Sequence, residues 1–220
     1  MNEVSDAVSI TAISTNKKPR LTSHLGFIFQ KDKQMEIDKI VYSNRPEGEL
    51  LPEESAIYDK LEELNIPYQR VSHEHADTME DCLLIEKVIG ARICKNLFLT
   101  NRQETEFYLL MMPGDKPFKT KYITEPLGCS RLSFAGAEHM NEFLKTIPGS
   151  VSALELLFDT DSRVRLVIDK DLLKDEFICG HPGRSRATVK FTRDDLLKYV
   201  KAVGHEPTII DLPDPRDFEE

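Results

Sequence analysis

Two apolar segments, ICKNLFLTN (Ile93–Asn101) and EFYLLMMPGD (Glu106–Asp115), decide the fold. Only the polar stretch NRQET joins them, so they read as a hairpin with both strands near the core. Pro113, Gly114 and Asp115 then turn the chain. Before the hairpin, PEESAIYDKLEEL opens on Pro52 and acidic residues and sets Ile57, Leu61 and Leu64 at helical spacing, an amphipathic helix that Asn65 and Pro67 end. IPYQRVSHE fits a strand. ADTMEDCLLIEKVIG fits a second helix, with Thr78 as N-cap, Glu80 and Asp81 in its first turn and Gly90 at its close. After the hairpin, helix and strand alternate. A helix over 120–127, the strand RLSFA and a helix over 137–144 lead to the loop IPGSVSALE and the strand RVRLVID. A short DLLKDE helix, the segment FICGHP, the strand ATVKF, the helix TRDDLLKYVKAVG and a last strand PTIIDL complete the pattern. The fold class is α/β, a mixed α+β single domain.

That domain is expected over 51–213. Residues 1–50 read as an N-terminal extension, disordered over about its first 20 residues, with GFIF (Gly26–Phe29) and IDKIVYS (Ile37–Ser43) as short-strand candidates. Residues 214–220 read as a frayed acidic tail. The 220 residues are 40% hydrophobic and 30% charged, the balance of an ordinary globular protein. No apolar run approaches the ~20 residues of a membrane span. MNEVSDAVSI lacks the basic and apolar regions of a secretion signal, so the cytoplasm is the expected place and no membrane partner is expected. Cysteines 82, 94, 129 and 179 match neither metal-binding pairs nor a disulfide framework and read as reduced thiols. The net charge of -9 argues against a protein that grips DNA or another long nucleic acid by bulk electrostatics, while a local basic cluster can still hold an acceptor stem.

Three features point to chemistry. Lys95 shares a strand face with Ile93, Leu97 and Leu99, so its ammonium either snorkels to solvent at a strand end or points into a cleft, where it can bind an anionic or carbonyl group. PGSVS (Pro148–Ser152) is either a plain connector or a loop whose N–H groups cradle an oxygen, Gly149 allowing close approach. In GHPGRSRAT (Gly180–Thr188), His181 is held between an apolar run and a proline. It either donates to a ligand or hydrogen-bonds to backbone, and Arg184 and Arg186 make a basic spot beside it or a solvated turn. No GxSxG, HExxH or Cys/His metal spacing occurs. His73 and His75 read as surface residues, and neither a metal nor another cofactor is expected.

KNLFL, the stretch FYLLMMPGDKPFKT, LSFA followed by Glu138, PGSVS, DKDLL, the HP pair and HEPTIIDL occur in an order that resembles the YbaK/prolyl-tRNA synthetase-associated editing domain family over about residues 52–212. Within that family the chain looks closest to the stand-alone alanyl-tRNA(Pro) deacylase branch. The resemblance implies a mixed, strongly curved central sheet flanked by helices, folded around a small cleft for the aminoacyl end of tRNA. It puts the family's essential lysine on Lys95, its substrate-holding loop on Gly149, Ser150, Val151 and Ser152, and its HP histidine on His181. Asn96, Arg184 and Ser185 are the further substrate contacts it implies. The partners implied are the acceptor end of mischarged tRNA(Pro) and prolyl-tRNA synthetase, and the substrate's own ribose hydroxyl helps to activate the hydrolytic water. Two positions depart from the family pattern: Ser185 stands where HPxxN has asparagine, and Glu155 follows the loop. A cysteinyl-tRNA(Pro) deacylase, or a non-catalytic aminoacyl-tRNA-binding or synthetase-associated regulatory module, remains the alternative.

Overall fold

The computed structural model describes residues 35–76 and 78–218. Along the chain lie α1 (Pro52–Glu63), β1 (Gln69–Ser72), α2 (Met79–Ile89), β2 (Cys94–Asn101), β3 (Phe107–Pro113), α3 (Lys121–Leu127), β4 (Leu132–Phe134) and α4 (Ala137–Leu144). They are followed by β5 (Val164–Asp169), β6 (Phe177–Gly180), β7 (Ala187–Thr192), α5 (Arg193–Ala202) and β8 (Thr208–Ile210). Single 3-10 segments occupy Ala153–Phe158, Leu172–Lys174 and Pro215–Phe218. The local signals behave as their chemistry demands. Thr78 accepts the Asp81 N–H at the start of α2, and Gly90 ends the helix with a left-handed φ of 68°.

The mixed α/β class holds, and the strands divide between two sheets where one was expected. The larger has the order β4-β2-β3-β5-β8; β2 and β3 form the antiparallel hairpin, and β5 and β8 add parallel to it. The smaller has the order β1-β7-β6, wholly antiparallel. Every residue of β2 and β3 is buried, because the hairpin is covered on both faces. Phe98, Phe107, Leu109 and Met111 join the main core with α1, α4, α5 and the smaller sheet, while Leu97, Leu99, Leu110 and Met112 pack on the other side with Ile123 of α3. A third cluster seats α2, through Cys82, Ile85 and Ile89, on Val71 of β1.

Within Ile37–Ser43 the chain makes two isolated bridges rather than a strand, Ile37 to His73 and Tyr42 to Arg70. Gly26–Phe29 and the first 20 residues lie outside the described residues, as do Glu219 and Glu220. The segment expected to fray is a 3-10 turn at Pro215–Phe218, where the Arg216 guanidinium pairs with Asp214 and reaches Asp115 at 3.8 Å. No helix among the described residues is long and apolar enough to cross a membrane.

Candidate active site

The loop after α4 and the turn after β6 are laced together. Thr146 donates its hydroxyl to the Gly183 carbonyl at 2.8 Å, and Ser185 N–H donates to Ser150 Oγ at 3.1 Å. Ser152 Oγ lies 3.0 Å from the His181 carbonyl. The tie at the centre is Glu155. Its carboxyl accepts Ser152 N–H at 2.6 Å and Gly183 N–H at 2.8 Å, and lies 2.8 Å from Ser152 Oγ. Ser152 and Glu155 are the capping box of a 3-10 turn, Ala153–Phe158, where the sequence reading had continued a loop. Glu155 therefore fastens the site from behind, fully buried, rather than lining its cleft. Burial pushes its carboxyl up to about 8, against the pull of these donors.

Gly149 has φ +85°, a left-handed conformation in which a side chain is strained, and a Cβ there would stand 3.1 Å from His75 Nε2. Around it, Ser150 N–H turns back to the Ile147 carbonyl and Ser152 N–H is spent on Glu155. The Gly149 and Val151 N–H groups make no hydrogen bond among the described residues. Val151's side chain is part of the main core, so only its backbone is available to a ligand. Ser152's hydroxyl is committed within the turn.

His181 is 5% exposed and its Nδ1 stands 3.1 Å from the Ala187 carbonyl. A carbonyl only accepts, so Nδ1 carries the proton and Nε2 keeps a lone pair. Burial, followed by the neighbouring His73, pushes this imidazole down to about 4, and the ring is neutral at pH 7. Ser185 uses its backbone N–H on Ser150, while its buried hydroxyl has no partner. Arg184 is half-buried and Arg186 exposed, and neither makes an ion pair among the described residues.

The structure thus brings Gly149, Ser150, Val151, Ser152, His181, Arg184 and Ser185 together. Lys95 stands apart. Its Nζ donates to the Lys116 carbonyl at 2.8 Å and it borders a cleft with Leu83, Glu86, Arg92 and Asp115. Burial lowers its pKa, and Asp115 opposes that shift. No hydrogen bond among the described residues joins Lys95 to the His181 cluster. Asn96 points to the opposite face of β2, its amide 3.7 Å from Cys94 Sγ, which itself donates to the Cys179 carbonyl beside Gly180. Among the described residues no three His, Cys, Asp or Glu side chains are placed to hold a metal ion.

Two residues of this region escaped the sequence reading. His73, expected at the surface, is buried, and its Nε2 lies 2.9 Å from the hydroxyl of Thr188, also buried. The signal was in the alternation: His73 follows the fully buried Val71 by two positions and shares its face.

Comparison with known proteins bears on the family and the fold. Residues 73–199 match the family model described as the aminoacyl-tRNA editing domain. A prolyl-tRNA editing protein, ProX, of Acetoanaerobium sticklandii is 33% identical over 157 residues, spanning 71% of this chain and 96% of the relative. The prolyl-tRNA synthetase associated domain-containing protein 1 of Mus musculus is 31% identical over 158 residues, 70% of this chain and 92% of the relative. A crystal structure assigned, without established activity, as a trans-editing enzyme for prolyl tRNA synthetase superposes with a TM-score of 0.57 at 19% identity. It covers 74% of this chain and 98% of that one, a likeness of fold. The family model covers more than half of the chain and the Acetoanaerobium relative is 33% identical over most of it, and on that ground the chain belongs to the aminoacyl-tRNA editing domain family.

Proposed function

We propose that this protein is a trans-editing aminoacyl-tRNA deacylase, which hydrolyses the ester joining a wrong amino acid, most readily alanine, to tRNA(Pro). Prolyl-tRNA editing is supported by family membership and by the name of the Acetoanaerobium relative, matched over nearly its whole length. The observation that carries the chemistry is the Pro148–Ser152 loop, which is fixed by Glu155, leaves the Gly149 and Val151 N–H groups uncommitted and meets the backbone of the neutral His181 through Ser152 Oγ.

Ester hydrolysis needs a placed water and donors for the oxyanion that forms on the carbonyl, and preorganised backbone N–H groups supply such donors without reorganising. In this reading Gly149 and Val151 hold the oxyanion, and Ser150 sets the loop against Ser185. A histidine pushed down to about 4 is a weak base at neutral pH, so His181 orients the water through Nε2. The water oxygen bonds to the acyl carbon and the acyl–ribose C–O bond breaks, while the adjacent free ribose hydroxyl takes the water's proton and passes its own to the leaving ribose oxygen. Arg184 holds an RNA phosphate, and Asn96 and the unpartnered Ser185 hydroxyl contact the aminoacyl end, while Lys95, protonated and set apart in its own cleft, anchors the substrate there through a phosphate rather than acting as base. Steric exclusion discriminates a group as small as a methylene by only about 1 to 3 kcal/mol, and cysteine exceeds alanine by one sulfur, which makes cysteinyl-tRNA(Pro) the competing substrate.

Release of labelled amino acid from alanyl-, cysteinyl- and prolyl-tRNA(Pro) tests this. Selective alanine release is expected from the wild type, with kcat at least about tenfold lower in Gly149→Ala and KM raised in Lys95→Ala. No release above the blank from any of the three by a folded wild type would overturn it and leave a non-catalytic binding module.

A further inference from the structure

His73 reads from the sequence as a surface residue and Thr188 only closes the GHPGRSRAT stretch, yet together they lie behind His181. The Glu74 carbonyl, 2.7 Å from His73 Nδ1, can only accept, so that nitrogen carries the ring proton and Nε2 accepts. Thr188 Oγ1 is 2.9 Å from His73 Nε2 and must spend its one proton there. Only lone pairs remain on the oxygen for His181 Nδ1, 3.4 Å away. The direction of every bond in this chain follows from its terminal carbonyl.

We propose that Thr188, with His73 behind it, is a positioning residue that holds the His181 imidazole as the Nδ1–H tautomer, so that Nε2 presents its lone pair to the substrate or its water. The Ala187 carbonyl asks for the same proton, and Thr188 makes the preference two-sided. β1 and β7 keep the parts in register: Val71 pairs with Thr188, and His73 N–H donates to the Arg186 carbonyl at 2.9 Å. The two rings meet edge to face, 6.1 Å between centroids. All three side chains are buried, so water does not compete for these bonds. Burial also holds the His73 imidazole below its ordinary value, which keeps it neutral and the direction of donation unchanged.

The inference rests on His181 being a residue of the deacylase site, and its test has a readout independent of activity. Long-range 1H–15N NMR of the histidine rings reports which nitrogen is protonated. A single Nδ1–H tautomer is expected for His181 in the wild type. In Thr188→Val a share of the Nε2–H form is expected, with kcat for alanine release about fivefold lower and KM unchanged. Thr188→Ser is expected to restore both, and Thr188→Ala replaces the valine variant if that one fails to fold. An unchanged tautomer in the variant lacking the hydroxyl overturns the proposal, whether or not kcat falls. A tautomer shift in a protein that releases no amino acid sinks the deacylase reading and leaves the relay standing.

Discussion

Lys116 and Glu155 are both buried ionisable residues that fasten distant segments of the chain, and they are held in opposite ways. Lys116 Nζ sits between two carboxylates, Asp169 at 2.7 Å and Asp171 at 2.8 Å, and donates to the Leu212 carbonyl at 2.6 Å. Burial works against its charge, and the two carboxylates together outweigh that, so the ammonium stays above its ordinary value. Lys116, followed by Lys174, in turn holds the Asp171 carboxyl down to about 2. Glu155 has no cation among its partners, only two N–H groups and the Ser152 hydroxyl. A counter-charge makes the first knot permanently ionic, whereas neutral dipoles leave the second titratable near neutral pH.

The hydrogen count at Ser152 points the same way. Its single hydroxyl proton faces both Glu155 at 2.8 Å and the His181 carbonyl at 3.0 Å. Both contacts are satisfied when the Glu155 carboxyl is protonated and donates to Ser152, which then donates to the carbonyl. The fastening is therefore most complete on the acidic side of about 8.

The largest effect is expected on breaking the ionic knot. Lys116→Met leaves Asp169 buried without its cation, and urea unfolding is expected to show a loss of about 3 to 5 kcal/mol. A loss under about 1 kcal/mol would mean that the Asp169 carboxylate finds another partner.

Glu155→Gln sharpens the contrast through pH. From the ordinary carboxyl value of 4.5 up to about 8, the folded chain keeps a proton that the unfolded chain has released. Rising pH across that window favours unfolding, by at most about 1.4 kcal/mol per pH unit. The wild type's urea midpoint is expected to fall from pH 5 to pH 8 more steeply than that of the variant. Parallel curves would show Glu155 to be ionised throughout.

The smallest effect on stability belongs to a cation that is neither ion-paired nor fully buried. Arg184→Ala is expected to shift stability by no more than about 0.5 kcal/mol. It should weaken tRNA binding and lower the slope of log affinity against log salt by about 1. An unchanged slope would remove Arg184 from the RNA-binding surface.

The parts that were legible in the sequence are those written in neighbouring residues. Thr78, Asp81 and Gly90 announce both ends of α2, and the Pro148–Ser152 loop and the His181–Pro182 corner stand out because glycine and proline narrow the backbone's choices locally. Partnerships across the chain were not legible. Alternation put Lys95 on the face of Leu97 and Leu99, where the structure has it, and its acceptor is a backbone carbonyl 21 residues away that no side-chain pattern announces. Glu155 read as a departure from the family pattern, since the Gly183 N–H that it receives lies 28 residues further on. His73 read as a surface residue because its partner Thr188 is 115 residues distant.

The sequence by itself determined the alternation of helices and strands, the hairpin at the centre and the glycine and proline corners, because helix caps, apolar periodicity and turn chemistry act over a few residues. Tertiary structure alone decided the division of the strands into two sheets, the seat of Lys95 beside Lys116, and the knot and relay that hold the loop and His181. These are settled by which donor meets which acceptor once water has been excluded, and burial makes an unmade bond costly enough to fix the choice.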